Sequence, residues 1–177
     1  MGNKSDSSLE LIPEELVNEQ MLHAADQFYE AGRKLSQLPP GEGLIAPAVT
    51  CGVFALELYL KFLNAKRKCL LDGRGGLSDE VKIIKAESKK KGHKLSEILK
   101  AYNKATIATI DELYEGKEVE LSYKHLIEAV QPYDDLFVDA RYYYERKVFN
   151  NFNLDVFWNV VRVTTKIVHT LNKRDLR

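Results

Sequence analysis

The sequence has few of the residues that would build a domain around disulfides or a metal ion. Its 177 residues include only two cysteines, Cys51 and Cys69, which show neither metal-type spacing nor a second pair. No disulfide framework is predicted, and a reducing compartment is favoured. His23 and His125 stand without ligand partners at metal spacing, so we expect no bound metal and no cofactor.

A net charge of one sign is also missing. Lys plus Arg and Asp plus Glu each number 26, so the formal net charge is zero. Overall attraction to nucleic acid or anionic lipid is therefore not indicated, and any polyanion site must be a local patch. The first eight residues, MGNKSDSS, contain no apolar signal core, and the later apolar run is too short and too charged to span a bilayer. These features predict a cytoplasmic protein with no membrane partner.

Signals of β-structure and of phosphate-binding loops are scarce as well. Strand-like alternation, Asn-Gly turns, Gly-rich loops and internal repeats are not found. Apolar residues make up 45% of the chain, with only ten glycines and five prolines. We therefore predict an all-α fold, an up-and-down helical bundle of about five to seven helices. Residues 10–177 should form this single domain, after a flexible N-terminal lead-in over residues 1–9.

Helix-terminating residues and apolar periodicity divide the chain into segments. The predicted helices run from about Pro13 to Leu38, from about Pro47 to Cys69, over 78–92 and from about 92 to 105, with short helices over 107–131 and a last helix from Leu154. The first is expected to bury a stripe made of Val17, Met21, Ala24, Ala25, Phe28, Ala31, Leu35 and Leu38. The second is apolar on nearly every side and should be the central helix. Residues 137–153 could form a loop, a short strand or part of a helix.

The apolar second helix carries two charges, Glu57 and Lys61, that stand four residues apart. An exposed helical pair of this kind contributes only about 0.2–0.5 kcal/mol. In a mostly buried helix the charges must instead pair, reach another polar group or border a groove. Two interpretations follow: an ion pair at the edge of the bundle, or a polar cleft.

The last helix places a row of polar residues on one face. The row contains Asp155, Asn159, Arg162, Lys166, His169 and Lys173, and the opposite side carries Phe157, Val160, Val161, Val168 and Leu171. Arg162 and His169 project from nearly the same direction, two turns apart. An arginine that holds a phosphate and a histidine that moves a proton are sufficient for metal-free RNA cleavage through the 2′-hydroxyl. An ordinary solvent-facing surface gives the same pattern.

A further cluster lies in the segment DARYYYER. Arg141 and Glu145 are four residues apart and flank Tyr142, Tyr143 and Tyr144. Tyrosine and arginine side chains can stack on bases, and they also form common packing interfaces. The segment is therefore a second candidate for binding RNA or a nucleotide.

Three segments in this order resemble the HEPN superfamily of helical bundles. They are AVTCGVFALELYLKFL, GHKLSEIL about thirty residues later, and FVDARYYYE before the last helix. The resemblance covers roughly residues 15–172. It implies that Glu57 and Lys61 face a groove shared with Arg141, Tyr144 and Glu145 and with the last helix.

The resemblance also implies a function. Many HEPN proteins are metal-independent ribonucleases with an Arg and a His in the last helix, and they act as dimers. Arg162 and His169 match that pattern as catalytic residues, with Lys166 fitting a phosphate. The residue after the arginine is commonly polar in active members, whereas here it is Val163.

Two functions are thus open. The first is an endoribonuclease of a toxin–antitoxin or phage-defence system, acting as a homodimer on RNA. The second is a non-catalytic module that binds a nucleotide, or a protein partner such as a nucleotidyltransferase antitoxin, through Glu57, Lys61, Arg141 and the tyrosines.

Overall fold

A computed structural model gives the fold of the chain. It describes residues 15–39, 44–63, 65–70, 83–88, 92–114, 123–142, 149 and 152–175. The α-helices are α1 (Glu15–Ser36), α2 (Ile45–Phe62), α3 (Leu95–Lys100), α4 (Lys104–Leu113), α5 (Leu126–Val130), α6 (Leu136–Asp139) and α7 (Leu154–Asp175). Single 3₁₀ turns follow α5 and α6, at Gln131–Tyr133 and Ala140–Tyr142. The predicted helical bundle is confirmed.

The three long helices form the centre of the bundle. Contacts between Phe28 and Phe54, and between Asp26 and Tyr59, show that α1 and α2 run antiparallel. His169 near the end of α7 bonds Asp26, and Trp158 near its start lies beside Gly32, so α7 runs antiparallel to α1 and parallel to α2. The short helices between α2 and α7 complete the core beside them.

The prediction that α2 is the central helix is confirmed. Eleven of its residues are buried, and it packs against α1, α3, α6 and α7. Ile45–Phe62 is the one helix of the described residues with the length and composition of a membrane span, and 61% of it is buried inside the bundle. Burial of this extent is what a central helix requires.

One antiparallel hairpin was not predicted. Strands β1 (Ala65–Leu70) and β2 (Ile83–Ser88) pair with Cys69 opposite Ile84 and Leu70 opposite Ile83. The predicted extension of the second helix to Cys69 is therefore wrong, as is the predicted helix over 78–92. Local helical periodicity is a weak signal, and the pairing of two segments that are distant in sequence overrides it here.

Smaller corrections concern the ends and faces of other helices. The predicted helix over 92–105 is split, because Asn103 begins α4 by accepting the backbone N–H of Thr106 at 2.8 Å. On α1 the most buried residues are Leu22, Ala25 and Gly32, whereas Leu38 of the predicted stripe is 40% exposed. Residues 1–9 lie outside the described residues.

Two glycines allow the long helices to approach each other closely. A Cβ atom on Gly32 would lie 2.6 Å from Cη2 of Trp158, and one on Gly52 would lie 2.7 Å from Cε1 of Phe157. Both distances are shorter than real Cβ contacts allow. The rings of α7 therefore fill the space that side chains at these positions of α1 and α2 would take.

We predict that Gly52→Ala destabilises the protein. Helix propensity alone would make this change favourable by about 0.8–1 kcal/mol. Overpacking of a tight core costs about 1–3 kcal/mol, and we expect this cost to exceed the gain from helix propensity. Urea denaturation measures the difference, and Ala108→Gly on the exposed face of α4 calibrates the propensity effect in this chain. A higher urea midpoint for Gly52→Ala would contradict the packing argument.

Candidate functional site

His169, the predicted proton-transfer group, is held by a carboxylate from the other end of the chain. Its Nε2 atom lies 2.8 Å from Oδ1 of Asp26 on α1, 143 positions away. The side chain of His169 is 36% exposed and that of Asp26 is 38% exposed. The imidazole is thus oriented by a tertiary contact and stays accessible to solvent.

Tyr59 supports this pair from the buried side. Its hydroxyl donates to the same Oδ1 of Asp26 at 2.6 Å, and its ring meets the ring of His169 edge-on at 6.1 Å. Burial, followed by the hydrogen bond to Asp26, raises the pKa of Tyr59 well above its usual value. The hydroxyl therefore remains a donor at neutral pH, and Asp26 receives two converging hydrogen bonds.

Arg162 lies on the same side of α7 as His169. Seven residues correspond to about 10 Å along a helix and bring the chain back to within about 20° of the same direction. Arg162 is partly buried, and its Nη2 donates to Oδ1 of Asn159 at 3.4 Å. Lys166 is exposed and lies between them on the helix, so a row of two cations and one imidazole follows this face.

The residue after the arginine faces the core. Val163 is 8% exposed and belongs to the main hydrophobic cluster. A polar residue here would lose solvation without a partner, so packing explains the apolar choice in this chain. The predicted opposite face is also confirmed, since Phe157, Val160, Val161 and Val168 are buried.

A second polar cluster surrounds Glu57, which is 3% exposed. Its Oε1 accepts from Nζ of Lys61 at 2.6 Å, which confirms the predicted pair. Its Oε2 accepts from Nδ1 of His93 at 2.9 Å. Two donors therefore satisfy the buried carboxylate, as such a group requires.

The two clusters lie on opposite sides of α2. Glu57 and Tyr59 are two residues apart, which corresponds to about 200° around a helix. The structure therefore brings His169 together with Asp26 and Tyr59, and it brings Lys61 together with Glu57 and His93. It does not unite these residues in one cleft.

Phe137 is the aromatic centre of the second cluster, which we call the Phe137 platform together with His93 and Arg141. The His93 ring stacks on Phe137 with centroids 4.7 Å apart and planes 16° apart. The guanidinium carbon of Arg141 lies 4.5 Å from the centroid of the same ring. Arg141 is exposed and His93 is half exposed, so the platform meets solvent.

The predicted site residues and those that the structure brings together are not the same set. Tyr144 and Glu145 lie outside the described residues. Asp26, Tyr59, His93 and Phe137 were not predicted as site residues. No local pattern marks Asp26 as a partner of His169.

Comparisons with known proteins do not identify a family. No protein-family model, no curated protein and no solved structure matches this chain. The resemblance to HEPN proteins therefore stays a prediction. Within the part of the chain that the structure describes, no group of three or more His, Cys, Asp or Glu side chains could hold a metal ion.

We predict that Glu57→Gln destabilises the fold by about 1–3 kcal/mol, because it removes the buried negative charge that pairs with Lys61 and places an amide donor among donors. Chemical denaturation measures the loss. The matched control is Glu97→Gln on α3, whose pair with Lys100 has side chains 40% and 55% exposed. An exposed pair of this kind contributes less than about 1 kcal/mol. Equal stability of the two variants would refute a structural role for the Glu57 cluster.

Proposed function

We propose that this protein is a HEPN-like, metal-independent endoribonuclease of a toxin–antitoxin or phage-defence system. The observation that carries the proposal is the contact between His169 and Asp26. A half-exposed imidazole oriented by a carboxylate is the arrangement by which many enzymes hold a general base. His169 has this arrangement on the same helical face as Arg162 and Lys166.

The reaction uses those side chains, the RNA and one further group, an acid for the leaving oxygen. His169 takes the proton of a 2′-hydroxyl, and the resulting oxygen attacks the adjacent phosphorus. Arg162 and Lys166 neutralise the charge that grows on the non-bridging oxygens. The 5′-oxygen then leaves with a proton, and the product keeps a 2′,3′-cyclic phosphate.

The leaving oxygen needs an acid, and a second protomer can supply one. In a homodimer, His169 of the second copy would protonate the leaving group while the first copy acts as base. A nucleotidyltransferase antitoxin in the cytoplasm would then be the natural partner of the toxin. The homodimer and the antitoxin partner are both part of the proposal.

The proposal predicts RNA cleavage in EDTA by the wild type. His169→Ala should lower the rate by about 10²–10⁴-fold, the usual contribution of general acid–base catalysis. His125→Ala is the matched control. His125 also bonds a carboxylate, Asp111 at 2.9 Å, but it precedes α5 and its partner lies on α4, so neither residue is on α7. Equal rates for the His169→Ala variant and the wild type would remove His169 from the mechanism.

A second candidate function is supported by the Phe137 platform. Arg141, His93 and Lys61 supply cationic or polar groups around an aromatic surface, a composition that suits a nucleotide. In this alternative the protein is a non-catalytic module, and the same surface binds a nucleotide or a protein partner.

This alternative predicts that mononucleotides bind and that Arg141→Ala weakens binding by roughly 10–100-fold, as loss of a charged hydrogen bond would. Isothermal titration calorimetry measures the change. Arg33→Ala is the matched control, because Arg33 also lies over an aromatic ring, Tyr29 at 5.9 Å, on α1. Absence of binding to the wild type would reject the nucleotide-binding module.

A further inference from the structure

The carboxylate of Asp26 determines which nitrogen of His169 carries the proton. An ionised carboxylate has only acceptor atoms, so the 2.8 Å contact with Nε2 requires a proton on Nε2. In neutral imidazole the other nitrogen, Nδ1, then holds the lone pair. Among the described residues Nδ1 of His169 has no hydrogen-bond partner, and this atom is free to accept a proton from a ligand.

Tyr59 fixes the position of Asp26. Its hydroxyl is a donor with a raised pKa, and it donates to the same Oδ1 that receives His169. Tyr59 is fully buried in α2, so its ring cannot move without disturbing the core. Asp26 is therefore held between a rigid donor on one side and the imidazole on the other.

The other carboxylate-bound histidines use the opposite nitrogen. His93 meets Glu57 through Nδ1 at 2.9 Å, and His125 meets Asp111 through Nδ1 at 2.9 Å. In both of these pairs the proton lies on Nδ1. His169 is thus distinguished from them by its tautomer as well as by its position.

From these contacts we infer that Asp26 and Tyr59 are positioning residues that hold His169 with Nδ1 as its proton-accepting atom. The inference rests on the proposed ribonuclease function, for which it names the reacting atom. Asp26 also stabilises the imidazolium that forms when Nδ1 takes the proton, as a carboxylate next to a catalytic histidine does. The base is therefore assembled only when α1, α2 and α7 are packed together.

A purely structural ion pair between α1 and α7 is the competing explanation. Such a pair would hold the proton on Nε2 equally well and would change the stability of the bundle when broken, but it would leave the chemical step unaffected. The test must therefore measure the tautomer of the imidazole and the rate of the chemical step separately from the stability of the fold.

Nuclear magnetic resonance of ¹⁵N-labelled protein at a pH where histidine is neutral reads the tautomer directly. We expect His169 to carry its proton on Nε2, and His93 and His125 to carry theirs on Nδ1. The Nε2 proton of His169 should exchange slowly with water in the wild type and rapidly in Asp26→Ala. The Asp111→Ala variant is the control, and it should alter His125 alone.

The second measurement is the steady-state rate of RNA cleavage. Asp26→Ala should lower kcat by at least about 10-fold, within the range of general acid–base catalysis, with KM changed by less than about twofold. Tyr59→Phe removes only the hydroxyl from a ring that keeps its packing, so it reports on positioning even if Asp26→Ala folds poorly. We expect Tyr59→Phe to lower kcat by about 3–10-fold.

The outcomes separate the two claims. A wild-type His169 that carries its proton on Nδ1, or unchanged ring resonances in both Asp26→Ala and Tyr59→Phe, would overturn the positioning role. Because the resonance measurement uses no RNA, it gives this answer whether or not the protein cleaves RNA. A wild type with the expected tautomer but without any RNA cleavage would reject the ribonuclease and leave the tautomer control intact.

Discussion

A mostly buried helix must supply a partner for each polar side chain that it buries. In α2 this constraint applies to Glu57 and Tyr59, which are nearly inaccessible to solvent. The cost of a buried group without a partner is about 1–3 kcal/mol, and more for a charge. Each of the two residues is therefore bonded to a side chain from another part of the chain, and the clusters around His169 and His93 are built on these two positions.

The same constraint explains why the clusters contain histidines that meet solvent. Glu57 accepts one hydrogen bond from its own helix and one from His93, whereas Tyr59 donates a hydrogen bond to Asp26, the carboxylate that also contacts His169. In each case the buried member is satisfied and the imidazole remains accessible. A structural requirement thus produces groups with the orientation that proton transfer or ligand binding needs.

Local patterns in the sequence predict only part of this arrangement. The pair of Glu57 with Lys61 and the buried face of α7 follow from helical spacing, and both are confirmed. The contact of His169 with Asp26 spans 143 positions and leaves no local pattern. The hairpin depends on the pairing of β1 with β2. The local pattern of residues 78–92 predicts a helix instead, so this pairing was not predicted. Contacts between residues that are far apart in the sequence are therefore what local patterns do not predict.

The central claim is that RNA reacts on the α7 face beside Asp26. A crystal structure with a short RNA whose 2′-hydroxyls are methylated would test it directly, because the methyl group blocks attack while leaving the oxygen in place. We expect a phosphate at Arg162 and the neighbouring 2′ oxygen next to Nδ1 of His169. RNA bound instead at the Phe137 platform, on the other side of α2, would rule out a reaction on the α7 face and favour the binding module.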